Sequence, residues 1–254
     1  MIFPIFSQRL RSPIQLYLKS YRSKALEVVF VSITLYCMVP CITTQITGIA
    51  RLLEGALGMP YAPTAAGALA IVYLYSKYGG IKNIVKTDVV QSVMTIFGCL
   101  GVVVAFLWAN WSLDFSAFIS DLDVIHEESL LGIPGPKGLY TLLVLMGVAI
   151  LLSFGGISIA HKARRFMLAK DEKFLKVLMF VFPVMGLVTT VMAGILGLGG
   201  AVVFPGLESG DQVIGKVTAS VPAIIGAIAT MGILAATMST ADSILLSVGF
   251  IVSG

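Results

Sequence analysis

The sequence predicts an all-α integral membrane protein with about six transmembrane helices, and three observations support this. Of its 254 residues, 57% are hydrophobic and only 12% are charged, and the mean hydropathy is +0.98, far above the range of soluble domains. Several apolar windows of about 20 residues match the thickness of a bilayer core. The connecting segments alternate between basic and acidic, as expected for a chain that crosses a membrane repeatedly.

The apolar segments follow one another along the whole chain. The predicted spans are 28–50, 61–76, 89–111, 139–160, 177–199 and 217–248. The second span is short and depends on interfacial tyrosines at its ends, Tyr61 and Tyr73 among them. We therefore expect residues 1–254 to form a single transmembrane domain.

Charge in the connections predicts the orientation. Residues 1–24 carry five basic residues and no acidic one, whereas loop 112–138 carries five acidic residues and one lysine. By the positive-inside rule, the cytoplasmic segments are 1–24, 77–87 and 161–176, and the outer loops are 51–60, 112–138 and 200–216. We expect a multi-pass protein of the cell (plasma or inner) membrane with a cytoplasmic N-terminal segment.

Other functional classes have little support in the sequence. It shows no nucleophile–base pair and no metal-ligand spacing of His and Cys, so we predict neither an enzyme nor a bound cofactor. The net charge of +4 is concentrated in the predicted cytoplasmic turns and needs no nucleic-acid partner. The expected partners are the lipid bilayer, an ion and a small organic solute.

A polar cluster interrupts the apolar sixth span at Met238 to Ser243. Ser239, Thr240 and Ser243 place hydroxyls on consecutive turns, close to the Ala236 carbonyl. Several such oxygens could bind a hard monovalent cation, by analogy with the oxygen ligands of calcium and magnesium. Two alternatives remain open. The hydroxyls could bond to their own helix carbonyls, or Ser239 and Asp242 could form a capping box where a helix restarts.

Small residues line one face of the sixth span and predict close packing with a neighbouring helix. They are Ala219, Ala223, Gly226, Ala229, Gly232, Ala236, Ser239, Ser243 and Ser247.

A second polar cluster precedes the third span and contains Asp88 and Gln91. Their spacing suits a helix-capping box, which is one interpretation. The other follows from topology. The third span runs outward from Asp88, while the sixth runs inward and reaches Ser239 after about 23 residues, roughly 34 Å of helix. Because both clusters then lie toward the cytoplasmic side, we expect Asp88 to approach residues 239–243 and to share an inner ion path with them.

Two weaker features indicate a solute cavity. Gly155 and Gly156 lie at mid-membrane in the fourth span, where a broken helix would expose backbone dipoles to a solute. Gln45 lies in a kinked polar patch of the first span, residues 40–47. Close helix packing at the glycines and polar contacts between helices at residues 40–47 are the alternatives.

Three motifs in order resemble the sodium:solute symporter family. The Gly79-Gly80 to Gln91 segment is similar to the family's signature, and Ala235 to Thr240 is similar to its second signature. His161 with Arg165-Phe166-Met167 resembles the end of a Gly-Gln-Pro-His … Arg-Phe motif, although Ser158, Ile159 and Ala160 replace the first three residues. The residues that look most like the pantothenate and proline branches are Gln45, Gly48 to Glu54, Gly58, Pro60 and Tyr61.

The resemblance implies the inverted-repeat fold of the leucine transporter, with the six spans as core helices three to eight. It implies a main sodium site that joins Ala236, Ser239 and Thr240 to the first core helix, and a further ion position at Asp88. The first two and last two core helices have no counterpart in this sequence. We therefore expect a domain that is truncated at both ends and does not transport alone.

The predicted function is sodium-coupled symport of a small organic solute, an amino acid or a carboxylate such as proline or pantothenate, by alternating access. The alternative is a non-transporting fragment, a membrane sensor or a partner subunit derived from this fold. Coupling to protons through Asp88 or Asp242 is a further option.

Overall fold

The computed structural model describes residues 23–124, 133, 138–155, 172–207 and 209–252. Within these residues the regular structure is helical. The α-helices are α1 (Lys24–Leu57), α2 (Tyr61–Trp111), α3 (Phe115–Val124), α4 (Leu142–Gly155), α5 (Glu172–Val203), α6 (Val213–Ser220) and α7 (Ala223–Val252), with a 3₁₀ turn at Gly210–Gln212 before α6.

The first helix is longer at both ends than the predicted span 28–50. The hydroxyl of Ser23 caps its start by accepting a hydrogen bond from the Leu26 amide. Gly58 ends it with φ of 69°, and its amide donates to the Glu54 carbonyl, a left-handed cap that glycine adopts without a Cβ penalty. The predicted outer loop 51–60 is therefore mostly helix, with the polar pair Arg51 and Glu54 on its last turns.

The second helix is bent back on itself. Tyr75 Oη donates to Thr87 Oγ1 across 2.8 Å, although twelve residues of straight helix would separate their backbones by about 18 Å. The helical residues of α2 run from Tyr61 to Trp111, and this hydrogen bond requires a sharp bend between Tyr75 and Thr87. The predicted spans 61–76 and 89–111 are thus two arms of one hairpin around the predicted 77–87 turn.

A short helix lies in the predicted outer loop 112–138. Asp114 Oδ1 accepts hydrogen bonds from the amide and hydroxyl of Ser116 and from the Ala117 amide, which starts α3. These bonds, the Ser116 hydroxyl first, lower the pKa of Asp114. Trp111 Nε1 donates to Asp121 Oδ2 at 2.7 Å and joins α3 to the end of α2.

The start of the sixth predicted span is wrong. Residues 213–220 form the separate helix α6, and α7 begins at Ala223 instead of residue 217. Val221 has φ of −92° and ψ of 168°, because a residue before proline, here Pro222, is pushed out of the helical region. The predicted outer loop 200–216 likewise contains the end of α5 and the start of α6.

Four helices among the described residues are long and apolar enough to cross a membrane: Lys24–Leu57, Thr87–Trp111, Glu172–Val203 and Ala223–Gly249. They match the first, third, fifth and sixth predicted spans. The second predicted span is the shorter first arm of α2. The fourth is described only as Leu142–Gly155, and residues 156–160 lie outside the described residues.

The main core lies where the second arm of α2, α3, α5 and α6 meet. Trp111 packs edge-on against Phe106 and Phe118, with ring centroids 5.8 Å and 5.0 Å away. A Cβ on Gly199 would lie 2.9 Å from the Phe106 ring, and one on Gly200 would lie 2.4 Å from Val213 Cγ1. The glycines of α5 therefore allow close packing.

Candidate functional site

The last helix and the second arm of α2 are in backbone contact. A Cβ added to Gly98 would lie 2.9 Å from Ala229 Cα, and one added to Gly232 would lie 2.6 Å from the Met94 carbonyl oxygen. Thr95 Oγ1 donates across the contact to the Gly232 carbonyl at 2.7 Å. The two helices run antiparallel, and the predicted small-residue face of the sixth span does pack closely at Ala229 and Gly232.

Asp88 lies at the far end of this contact, against Ser239. Ser239 Oγ donates to Asp88 Oδ1 at 2.5 Å, although the two residues are 151 positions apart in the chain. The prediction that Asp88 approaches residues 239–243 is confirmed. The capping-box alternative for Asp88 and Gln91 is wrong, because helical residues precede Asp88 and an N-cap residue lies outside the helix.

A second carboxylate, Asp242, lies one turn further along α7. Its side chain is 1% exposed, and Ser76 Oγ from the first arm of α2 donates to Asp242 Oδ1. Asp242 is in the middle of α7, so the capping-box alternative for Ser239 and Asp242 is also wrong. The predicted sodium ligands include neither Ser76 nor Asp242, which the sequence suggested only as an alternative proton carrier. The signal for Asp242 was present in the sequence as a carboxylate inside an apolar span.

Two of the remaining predicted oxygens, those of Ala236 and Thr240, bond to each other. Thr240 Oγ1 donates to the Ala236 carbonyl at 3.1 Å, and the Ser243 carbonyl accepts from Ser247 Oγ at 2.7 Å. Bonding back to the helix therefore does occur at Thr240. Since neighbouring residues lie about 100° apart around a helix, Ser239 faces α2 while Thr240 and Ala236 form a separate pair of oxygens.

Three further polar residues of α2 lie close in sequence to Ser76 and Asp88. Tyr75 and Thr87 join the two arms beside Ser76 and Asp88. Gln91 lies one turn from Asp88, between Asp88 and Thr95, and its Oε1 is buried with no hydrogen-bond partner among the described residues. Carboxylate and hydroxyl oxygens thus meet between α2 and α7 at Asp88–Ser239 and at Ser76–Asp242, and such oxygens suit a hard cation.

Neither Gln45 nor Gly155 lines the cavity described next, and a solute contact at the predicted residues stays a prediction. A cavity of about 500 Å³ lies between α1, α7 and the 210–214 segment, and it is lined by Thr43, Thr44, Thr47, Arg51, Asp211 and Thr237, among others. Gln45 is half-buried on the same helix, outside the lining set. Gly155 ends α4, and Gly156 lies outside the described residues. The neighbouring threonines, not Gln45, face the cavity.

Comparison with known proteins agrees with the motif resemblance. The sodium:solute symporter family matches residues 14–253. The chain is similar to a sodium/pantothenate symporter of Haemophilus influenzae, at 28% identity over 232 residues. It is also similar to a sodium/pantothenate symporter of Escherichia coli, at 28% identity over 139 residues. No solved structure matches the chain.

The matches cover most of this chain but a smaller part of each relative. The first covers 91% of the chain and 47% of the Haemophilus protein, and the second covers 55% and 28%. The chain therefore spans about half the length of the curated relatives that it matches. The family match extends over nearly all of the chain, across both polar clusters described above. The chain belongs to the sodium:solute symporter family.

Proposed function

We propose that the protein works as a sodium-coupled symporter that carries a small organic solute into the cell by alternating access. Pantothenate is the first candidate solute, because both relatives are named as sodium/pantothenate symporters. Amino acids such as proline are the second. In this proposal the bundle rocks around a site near the middle of the membrane, and the inward sodium gradient drives the cycle.

One observation supports this proposal above the others: the hydrogen bond from Ser239 to Asp88 between α7 and α2. A carboxylate that accepts a hydroxyl's hydrogen bond between two apolar helices offers oxygen ligands that suit a cation. Sodium would replace the hydrogen bond from the Ser239 hydroxyl to the Asp88 carboxylate. The hydroxyl oxygen and the carboxylate oxygen would then both bind the ion. Ser243 is close enough along α7 to contribute to the same inner position, while Ala236 and Thr240 would supply the main site.

The last helix provides a route for coupling. Thr237 faces the cavity beside α1, and a Cβ on Gly48 of α1 would lie 3.8 Å from its methyl group. Ser239, only two residues further on, faces Asp88. A rotation or shift of α7 on sodium binding would therefore move the wall of the cavity. This is the reciprocal coupling that symport requires.

Alanine substitutions at Ser239 and Thr240, made in the complete protein, test the sodium assignment. Each removes one oxygen and leaves helix packing nearly unchanged. We expect the sodium concentration for half-maximal uptake to rise by about 5- to 150-fold, the equivalent of about 1–3 kcal/mol for a lost buried polar partner. Solute affinity should weaken as well. If both variants express normally and keep the sodium dependence of the parent, these hydroxyls only hold helices together.

The proposed orientation has its own test. In a variant whose Cys37, Cys41 and Cys99 are replaced by serine, single cysteines at Asp121 and Arg164 are labelled with a membrane-impermeant maleimide. We expect Asp121→Cys to react from outside and Arg164→Cys only from the cytoplasmic side, because basic segments stay inside. Reaction of Arg164→Cys from outside intact cells would reverse the topology.

A further inference from the structure

A guanidinium is fixed in place at the wall of the 500 Å³ cavity. Arg51 Nη1 donates to Glu54 Oε2 at 2.6 Å, and its carbon Cζ lies 4.4 Å from the centre of the Tyr61 ring. Tyr61 is itself held by a 3.2 Å hydrogen bond between its hydroxyl and Thr47. The ion pair and the stacked ring together orient Arg51, so little side-chain entropy remains to be lost when a ligand binds.

The hydrogen-bonding capacity of Arg51 is only partly used. Its Nε is buried and has no hydrogen-bond partner within the described residues, while 28% of its side chain remains exposed. Glu54 accepts from Nη1, and Nε is enclosed, so the exposed part of the guanidinium is the part that a ligand can reach. A guanidinium N–H donates a strong, charge-assisted hydrogen bond to a carboxylate oxygen.

The rest of the lining offers acceptors. Thr43 and Thr44 donate their hydroxyl protons to the carbonyls of Val39 and Pro40, so their oxygen lone pairs can accept from a ligand. Thr237 is arranged in the same way, with its proton on the carbonyls of Ile233 and Leu234. Asp211 lies exposed at the rim and adds a negative charge.

This distribution of donors and acceptors selects a class of solute. Glu54 and Asp211 together outweigh the charge of Arg51, so a ligand that presented only negative charge would be poorly bound. A matching ligand has a carboxylate, which binds Arg51, and hydroxyl, amide or ammonium groups, which donate to the threonines and Asp211. Such a ligand gives each of these side chains a hydrogen-bond partner. We propose that this cavity is the solute subsite, and that Arg51 binds the carboxylate of a small organic acid whose other end carries hydrogen-bond donors.

This inference rests on the proposed symport, and its test uses binding instead of transport. The complete protein is purified, and calorimetry measures binding of pantothenate and proline against their neutral analogues, the primary alcohol of pantothenate and prolinamide. We expect the parent protein to prefer one carboxylate over its neutral analogue by about 10- to 150-fold, and Arg51→Gln to remove that preference. The pair that shows the preference distinguishes a hydroxy acid from an amino acid.

Glu54→Gln is the matched control, because it breaks the same ion pair but keeps the guanidinium. If Arg51 only forms a structural ion pair with Glu54, Arg51→Gln and Glu54→Gln should have the same effect on ligand binding. We expect Glu54→Gln to keep the preference for the carboxylate. Arg51→Lys keeps the charge but loses the planar guanidinium over Tyr61, so it should retain only part of the preference. Size-exclusion profiles exclude misfolded variants.

The binding and uptake results distinguish a failure of the solute subsite from a failure of the symport proposal. Equal binding of acid and neutral analogue by the parent protein, or an unchanged preference in folded Arg51→Gln, overturns the subsite. Sodium-independent uptake by the parent overturns the symport proposal even if the carboxylate preference is found.

Discussion

Replacing Asp88 by asparagine is expected to reduce the affinity for sodium by about two to three orders of magnitude in the complete protein. A unit charge 4 Å from sodium at an effective dielectric constant of 20 is worth about 4 kcal/mol, part of which is offset by desolvation. Asparagine has nearly the same volume and can still accept the hydrogen bond from Ser239, which spans 2.5 Å in this structure. Packing of α2 on α7 should therefore survive while the charge is lost.

The measurement is sodium-dependent solute uptake, with the same change at Asp114 as its control. Asp114 starts α3 by accepting hydrogen bonds from Ser116 and Ala117, and asparagine caps helices about as well as aspartate. Asp114→Asn should leave both stability and sodium dependence close to those of the parent. If Asp88→Asn transports at the parent's sodium concentration, the inner cluster is not an ion site.

Replacing Gly232 by alanine is expected to give the largest loss of stability among single-methyl changes in α7 near the site. The new Cβ would lie 2.6 Å from the Met94 carbonyl oxygen and 3.1 Å from Thr95 Cα, and backbone atoms cannot rotate away. The helices must separate, which also stretches the bond from Thr95 Oγ1 to the Gly232 carbonyl. Overpacking of this kind costs about 1–3 kcal/mol, and Asp88 and Ser239 lie on the same interface.

Thermal unfolding in detergent measures the effect, and Gly186→Ala serves as the control. Gly186 is inside α5, where an added Cβ meets nothing within 4 Å. There the substitution should be neutral or stabilising by up to about 1 kcal/mol, because alanine favours helix over glycine. Equal melting temperatures for Gly232→Ala and the parent would show that α2 and α7 do not touch as closely as described.

Asp242 shows why part of the site was not predictable. Its partner Ser76 is 166 residues away in the chain, and the bond forms because the first arm of α2 packs against α7. From the sequence, Asp242 could be explained as the second residue of a capping box, because Ser239 precedes it by three residues. The continuous helix through both positions removes that explanation. Spacing along one helix cannot distinguish a cap from a contact to another helix.

The sequence by itself determined the class of the protein, the positions of its apolar helices and the pairing of Asp88 with the Ser239 region. Hydrophobic length and charge alternation are local consequences of the bilayer, so they can be read without knowing which helices touch. The tertiary structure decided the Ser76–Asp242 bond and the cavity beside Arg51, whereas the break at Val221 follows locally from Pro222. The bond and the cavity depend on which helices pack against one another, because packing makes neighbours of side chains that are distant in the chain.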